Sequence, residues 1–159
     1  MDIILWRHAE AEDTASSDLA RRLTPRGERQ ALLMATWLES QLGDMAPRTD
    51  RWRVIASPAI RAQQTAAALG MPVETITSIA PDAPAEAILR AADWPNNKEN
   101  VIVVGHQPTL GMVAARLING TEGYVSVKKG AVWWFRHRER AGGPQAILVA
   151  MVTPDTLAE

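Results

Sequence analysis

Short apolar runs recur along the chain and alternate with longer segments in which apolar residues repeat every three or four positions. The short runs predict β-strands, and the longer segments predict helices that bury one face. Clear runs occupy residues 3–6, 54–56, 101–104, 131–135 and 147–152, and a weaker one occupies residues 73–76. Because helical segments separate most of these runs, the pattern predicts an α/β fold with a mostly parallel sheet.

The strongest helical segment has distinct signals at both ends. It begins at Thr24-Pro25, where a hydroxyl N-cap precedes a proline at the first helical position, and it is predicted to end before Gly43. Its apolar positions fall on one helical face: Ala31, Met34, Ala35, Leu38 and Leu42. We expect this helix to pack beside the first strand.

Three further helices are predicted. One begins at Ser57-Pro58 and ends near residue 70, a shorter one that contains Pro84 covers residues 82–92, and one covers residues 108–120. No helical pattern separates the last two strands, because residues 136–143 form a charged segment that contains glycine. This segment predicts the turn of an antiparallel hairpin at the end of the sheet.

Length and composition narrow the function classes. A chain of 159 residues without repeats, low-complexity tracts or a long linker predicts one domain spanning residues 1–159. The net charge of -1 argues against a broad nucleic-acid-binding surface, and the absence of cysteine excludes disulfides, a thiol nucleophile and cysteine-built zinc sites. Only residues 3–6 are apolar before Arg7, so we expect no signal peptide, no membrane span and a cytoplasmic location.

Polar side chains suited to phosphate chemistry follow three of the predicted strands. Arg7-His8 follows the first strand, Ser57 and Arg61 follow the second, and His106 follows the run at residues 101–104. The carboxyl ends of parallel strands meet at one edge of a sheet, so these residues are predicted to converge on one crevice. Helix N-termini attract anions, and guanidinium groups match phosphate oxygens bidentately. The arrangement therefore predicts an anionic ligand and phosphoryl chemistry.

Each residue taken alone has a more ordinary interpretation. Arg61 alone would be a surface helix residue, Ser57 an N-cap and His106 a structural histidine. The dipeptide Arg136-His137 repeats Arg7-His8 inside the charged segment, where a solvated loop is expected. Metal binding by the two junction histidines is the weaker alternative, because no further ligand occurs at a recognisable spacing, and no metal is predicted. The combination, rather than any one residue, favours catalysis.

Four segments of the chain carry motifs that occur together in one known family. They are Leu5-Trp6-Arg7-His8-Ala9-Glu10-Ala11, Arg21-Arg22-Leu23-Thr24-Pro25-Arg26-Gly27, Ser57-Pro58-Ala59-Ile60-Arg61-Ala62-Gln63-Gln64-Thr65 and Val104-Gly105-His106-Gln107-Pro108. Together these segments resemble the histidine phosphatase (phosphoglycerate mutase-like) superfamily, and within it the SixA-type branch of small bacterial phosphohistidine phosphatases. The resemblance implies a three-layer α/β/α sandwich that needs no metal or organic cofactor. It also implies catalysis by His8, Arg7, Arg61 and His106.

The resemblance assigns a role to each of these residues. His8 would be the nucleophile that accepts the phosphoryl group, since a neutral imidazole can attack phosphorus near pH 7 and form a covalent intermediate. The two arginines and His106 would hold the phosphoryl oxygens. Arg21 and Ser57 are further candidates for substrate binding.

The segment beyond the second arginine motif departs from the wider superfamily. Many relatives that hydrolyse phosphate esters carry a glutamate general acid in an insertion there. In this chain the corresponding segment, residues 65–106, is short. The segment offers only weak candidate acids: Glu74, Asp82, Glu86 and Asp93. Glu10 and Asp18 are the first candidates for a general acid. A short segment fits an open pocket and a phosphoramidate substrate, whose leaving group departs more easily than an alkoxide.

These expectations favour a phosphohistidine phosphatase that acts on a partner protein, such as a histidine-phosphotransfer domain or a phosphocarrier, and so serves signal transduction. A phosphomonoesterase that hydrolyses a small phosphate ester by the same chemistry is one alternative, and a non-catalytic module that binds phosphoproteins is another. No nucleic-acid or membrane partner is expected. Lys128-Lys129 is predicted as a pair of solvated lysines, with contact to an acidic partner as the alternative.

Overall fold

Six strands form one mixed sheet in the computed structural model, which describes residues 1–45 and 51–158. The strands are β1 (Asp2–Arg7), β2 (Trp52–Ala56), β3 (Glu74–Thr75), β4 (Asn100–Gly105), β5 (Val132–Arg140) and β6 (Gly143–Val152). Their order across the sheet is β3-β2-β4-β1-β5-β6. The first four pair in parallel, whereas β5 and β6 are antiparallel. The predicted α/β fold, with a mostly parallel sheet and a C-terminal antiparallel hairpin, is confirmed.

Five helices accompany the sheet in the described ranges, together with two 3₁₀ turns at Asp18–Ala20 and Thr77–Ile79. The helices are α1 (Pro25–Met45), α2 (Ile60–Ala67), α3 (Ala85–Ala91), α4 (Thr109–Asn119) and α5 (Pro154–Leu157). Residues of α1 and α2 pack on one face of the sheet, and residues of α3 and α4 pack on the other. The result is the three-layer arrangement that the resemblance implied. Among the described residues, none of the helices combines the length and the apolar character that a membrane span requires.

Strand β1 contributes apolar side chains to the hydrophobic cores on both faces of the sheet. Successive strand side chains point to opposite faces, so its continuous apolar run is buried on both sides. Ile4 and Trp6 belong to the core beneath α1 and α2, whereas Ile3 and Leu5 belong to the core beneath α3 and α4. All four are fully buried. This central strand ends at Arg7, and its burial fixes the position of that residue.

The register of the parallel strands aligns the three polar junctions. Arg7 pairs with Gly105 across β1 and β4, and Ala56 pairs with Val104 across β2 and β4. The backbone N–H of His8 donates to the carbonyl of Gly105 at 3.1 Å, and that of Ser57 donates to the carbonyl of Val104 at 3.1 Å. The residues directly after the three strands therefore lie together at the carboxyl edge of the sheet.

Several predicted helix boundaries differ from the structure, among them the start of α3, which lies at Ala85 rather than at residue 82, and the end of α2, which lies at Ala67 rather than near residue 70. α1 continues past Gly43 to Met45, because glycine inside a helix costs only about 1 kcal/mol and does not by itself end it. α2 begins at Ile60 rather than at Ser57-Pro58. The Ser57 hydroxyl accepts a hydrogen bond from the N–H of Ala59 at 3.1 Å, which closes a local turn before the helix starts.

The charged segment of residues 136–143 is mostly strand rather than turn. Pairing between β5 and β6 continues as far as Arg140 opposite Gly143, so only two residues connect the strands. Polar cross-strand contacts replace apolar ones here, for example between Arg138 Nε and Gln145 Oε1 at 3.2 Å. A strand built from charged residues lacks the apolar alternation from which strands are predicted, and the extension was missed for that reason.

Candidate active site

A pocket of about 250 Å³ lies at the carboxyl edge of the parallel strands. Of the eight predicted site residues, the structure brings six to its wall: Arg7, His8, Asp18, Arg21, Arg61 and His106. Ser57 lies behind His106, and Glu10 lines a neighbouring cleft. Pro81, Asp82, Gln107 and Lys129 complete part of the wall.

His8 has the protonation state that a nucleophilic imidazole requires. Its Nδ1 lies 2.8 Å from the carbonyl oxygen of Ala9. A carbonyl only accepts, so Nδ1 carries the proton and the lone pair is on Nε2. Burial lowers the pKa of His8 to about 3, assisted by the positive charges of nearby arginines and opposed by the bond to Ala9. His8 is therefore neutral near pH 7.

Thr65 holds the backbone that positions His8. Its fully buried hydroxyl accepts from the N–H of Ala9 at 3.0 Å and donates to the carbonyl of Arg61 at 2.8 Å. One side chain thus connects the loop after β1 to the first turns of α2. Sequence reasoning included Thr65 in the second arginine motif but gave it no role. Its spacing, four residues after Arg61 on the same helical face, was the available signal.

The two arginines beside His8 are held by main-chain carbonyls. Arg7 donates from a terminal nitrogen to the carbonyl of Val127 at 2.8 Å, and Arg61 donates to the carbonyl of Asp18 at 2.7 Å. Arg61 is only 4% exposed, and burial lowers the pKa of Arg7. The buried Nε atom of each arginine has no hydrogen-bond partner among the described residues. Buried guanidinium donors without a partner, in two neighbouring arginines, are typical of a site that binds an anion.

His106 packs against His8 and is fixed by Ser57. The two imidazole centroids are 5.1 Å apart, and Nε2 of His106 is hydrogen-bonded to the Ser57 hydroxyl at 2.7 Å. Burial lowers the pKa of His106 to about 4, with a further contribution from Arg61, so the ring is neutral near pH 7. Its buried Nδ1 has no hydrogen-bond partner among the described residues. Ser57, which is fully buried, contacts the pocket through His106.

Asp18 bridges two arginines at the mouth of the pocket. One carboxylate oxygen accepts from Arg21 at 3.0 Å and the other from Arg61 at 3.1 Å. These two hydrogen bonds lower the pKa of Asp18. Arg21 is held in addition by the carbonyl of Glu12 at 2.6 Å. Asp18 is therefore an ionised carboxylate whose contacts orient Arg21 and Arg61.

Glu10 takes part in the start of α1. Its carboxylate accepts from the Thr24 hydroxyl at 2.7 Å, and that hydroxyl accepts from the N–H of Gly27 at 3.0 Å. The Thr24 bond is the main cause of the lowered pKa of Glu10. A Cβ at Gly27 would collide with the carbonyl oxygen of Glu10. The motif at residues 21–27 therefore has a structural role, because it packs the start of α1 against the loop after His8.

The weaker acid candidates are placed apart from one another. Glu74 pairs with Arg53 at 2.9 Å, and Glu86 pairs with Arg116. Asp93 lines a different surface depression, and only Asp82 lines the pocket around His8. Within the described ranges, no three histidine, aspartate or glutamate side chains are grouped so that they could hold a metal ion.

The two buried histidines predict a loss of stability in mild acid. Their pKa values lie well below the ordinary 6.5, so below pH 6.5 the unfolded chain takes up protons that the folded chain does not. The free energy of unfolding should fall by roughly 1 kcal/mol per pH unit for each histidine down to about pH 4. Above pH 6.5 this contribution is complete and constant.

Urea unfolding between about pH 7.5 and pH 5 measures this effect in a window above the ordinary carboxylate range. The variant His8→Asn should reduce the slope, because it removes one of the two groups that titrate only in the unfolded chain. Unfolding midpoints that do not change over this window would contradict the assignment of two buried neutral histidines.

Known proteins resemble the chain in sequence and in structure. Residues 3–82 match the family profile of the histidine phosphatase superfamily (branch 1). A phosphohistidine phosphatase SixA homolog of Haemophilus influenzae is 31% identical over 127 residues, which cover 74% of this chain and 77% of that protein. Phosphohistidine phosphatase SixA of Escherichia coli is 30% identical over 128 residues, 76% of each chain. The structure of the protein histidine phosphatase SixA complexed with tungstate superposes with a TM-score of 0.80 and 25% identity, covering 99% of this chain and 100% of that one.

Proposed function

The chain belongs to the histidine phosphatase superfamily, and from that premise we propose that it removes phosphate from a phosphorylated histidine of a partner protein, through a phosphoryl group carried on His8. One observation carries the proposal. A neutral His8, with its proton fixed on Nδ1 by Ala9, lies in a pocket beside Arg7 and Arg61. This arrangement supplies a nucleophile and a cationic site for the group that it attacks.

In the first step, Nε2 of His8 attacks phosphorus. The new bond joins Nε2 to phosphorus, and the bond between phosphorus and the substrate imidazole breaks. His8 then carries the phosphoryl group on Nε2 and a proton on Nδ1, and the Ala9 carbonyl, 2.8 Å from Nδ1, stabilises that positive ring. Arg7, Arg61 and the backbone around them stabilise the charge on the equatorial phosphoryl oxygens.

In the second step, water attacks the phosphoryl group and His8 leaves. Because Nδ1 kept its proton throughout, the ring departs as neutral imidazole and regains its starting state. The water oxygen becomes the fourth oxygen of inorganic phosphate, and its released proton goes to phosphate or solvent. The ring of His8 gains and loses no proton in either step.

The leaving group explains how such a site can act without a strong positioned acid. When the second ring nitrogen of phosphohistidine is protonated, as is common near the ordinary histidine pKa, the ring departs as neutral imidazole. An alkoxide would instead need a proton from the enzyme. Glu10 and Asp18 both have lowered pKa values and are ionised near pH 7. A general acid role for either residue stays a prediction, and the proposed reaction does not require one.

The similar proteins support the substrate class. The related enzymes of Haemophilus influenzae and Escherichia coli bear the name phosphohistidine phosphatase. Tungstate, which is held in the related SixA structure, is a tetrahedral oxyanion of the same shape as phosphate. We propose a histidine-phosphotransfer domain or a phosphocarrier as the partner, since each displays a phosphohistidine on its surface and a short segment 65–106 leaves the pocket accessible.

Comparing two phosphorylated peptides that differ only in the phosphorylated residue tests the proposal. We expect the protein to hydrolyse a phosphohistidine peptide with a kcat/KM at least about 10²-fold above that for a matched peptide with phosphoserine at the same position, because only the imidazole departs without a proton donated by the enzyme. Phosphate release measured for both peptides gives the ratio. A preference for the ester, or for small phosphate esters, would assign the chain to phosphomonoesterases. Binding without turnover would favour a phosphoprotein-binding module.

A further inference from the structure

A second cleft adjoins the catalytic pocket. It has a volume of about 320 Å³, and four cationic side chains line it: Arg7, Arg26, Lys128 and Lys129. We call it the basic cleft. Arg7 and Lys129 also line the pocket around His8, so the two cavities are neighbours that share a wall.

The charge of the basic cleft is positive although the chain as a whole has a net charge of -1. Glu10 and Asp155 are its two acidic lining residues, against four cations. The carboxylate of Glu10 already accepts from Thr24 at 2.7 Å and pairs with Arg26 at 3.4 Å. Both lysines are exposed, and neither forms an ion pair within the described ranges. The cleft therefore retains positive charge that faces solvent.

The chain holds the two lysines at a fixed place relative to His8. The N–H of Gly130, the next residue, donates to the carbonyl of His8 at 3.1 Å, and the N–H of Ala131 donates to the carbonyl of Lys128 at 3.0 Å. Gly130 has a φ of +77°, a conformation that favours glycine. The backbone that follows the two lysines is thus hydrogen-bonded to His8, the residue that the proposed reaction uses as its nucleophile.

We propose that the basic cleft binds carboxylate side chains that flank the phosphorylated histidine on a partner protein, an inference that rests on the proposed function. Its lining matches such a partner better than a second phosphate group. Glu10 and Asp155 would repel a dianion about twice as strongly as a single carboxylate. The shared wall places the bound carboxylate within a few residues of the phosphohistidine, and an extended chain rises only about 3.3 Å per residue. Acidic partners are thereby selected over neutral ones.

Peptide binding tests the cleft independently of catalysis. The probes are a fluorescein-labelled peptide with an unphosphorylated histidine between glutamates, and a matched peptide with glutamines in their place. We expect the glutamate peptide to bind more tightly, and Lys128→Glu to weaken it by about tenfold in fluorescence anisotropy. Lys128 is exposed, so this variant should fold. Lys98→Glu is the matched control, because Lys98 is also exposed but lies before β4, at the amino ends of the parallel strands and away from the pocket.

The phosphorylated forms of the same peptides separate this inference from the proposed function. Lys128→Glu should lower kcat/KM on the glutamate peptide by about tenfold while changing hydrolysis of phosphoramidate less than about twofold. If the wild type hydrolyses neither phosphohistidine peptide, the proposed function fails, and the binding measurement still decides the cleft. Equal binding of the two peptides, or unchanged binding by Lys128→Glu, would overturn the inference. The inference would also be overturned if Lys128→Glu weakened only the binding of small bisphosphates.

Discussion

Replacing His8 with asparagine is expected to lower kcat by about 10⁴-fold or more, because the proposed reaction then has no nucleophile. Asparagine suits the position since its amide can donate to the carbonyl of Ala9, as Nδ1 of His8 does at 2.8 Å. The cost in folding stability should therefore be small. The arginines remain in place, so the variant should still bind phosphate.

The diagnostic measurement is the phosphoenzyme itself. The wild type, quenched during turnover of labelled phosphohistidine peptide, should carry an acid-labile, base-stable phosphoryl group, and His8→Asn should carry none. His137→Asn is the matched control, because His137 comes after an arginine in the same dipeptide but is bonded to Glu139 at 3.0 Å and packs on Trp94. A labelled His8→Asn protein would refute His8 as the acceptor.

The contrast between the two Arg-His dipeptides shows where the site could be predicted. The order of strands and helices placed Arg7-His8, Arg61 and His106 at three junctions, and the structure has them around one pocket. This convergence could be predicted because the carboxyl ends of parallel strands lie at the same edge of a sheet, and a buried strand fixes the position of the residue at that end. Arg136-His137 lies instead in the outer part of β5, opposite Ile147 and Ala146 of β6. The identical dipeptide does not line the pocket around His8.

Other parts of the site could not be predicted, because they depend on contacts between distant segments. Thr65 reaches Ala9 across 56 positions, and Ser57 reaches His106 across 49. The spacing of Thr65 from Arg61 places both on one helical face but does not identify Ala9 as the partner of Thr65, and no local pattern identifies His106 as the partner of Ser57. The same holds for Asp18, whose role in orienting Arg61 depends on where the 3₁₀ turn at Asp18–Ala20 packs. Local patterns predict which residues face an edge, and tertiary packing decides which of them touch.

The neutral state of both histidines also could not be predicted from the sequence. An ordinary histidine pKa near 6.5 leaves the charge near pH 7 open, whereas burial beside arginines settles it for His8 and His106. This state has a chemical consequence. A cationic pocket with neutral imidazoles attracts a phosphoryl dianion while leaving the lone pair of the nucleophile free.

Arg61 provides the second large effect. Arg61→Ala is expected to lower kcat/KM by roughly 10²–10³-fold, the range for removing one charged donor from a site that stabilises developing negative charge. The side chain is only 4% exposed, so water replaces little of the lost interaction. Its removal also takes away one of the two arginine partners of Asp18, whose carboxylate lies 3.1 Å from Arg61 and keeps only its contact with Arg21.

Two companion variants separate the possible causes of this loss. Arg61→Lys keeps the positive charge but not the planar fork, so most of the activity should still be lost if two oxygens are held at once. Arg116→Ala is the matched control, since Arg116 is also a helical arginine paired with a carboxylate, that of Glu86 in α3. Inhibition by inorganic phosphate should weaken in parallel with kcat/KM, because product and transition state present oxygens to the same guanidinium. Full activity in Arg61→Lys would mean that charge alone suffices, and unchanged phosphate inhibition in Arg61→Ala would remove this residue from the phosphate site.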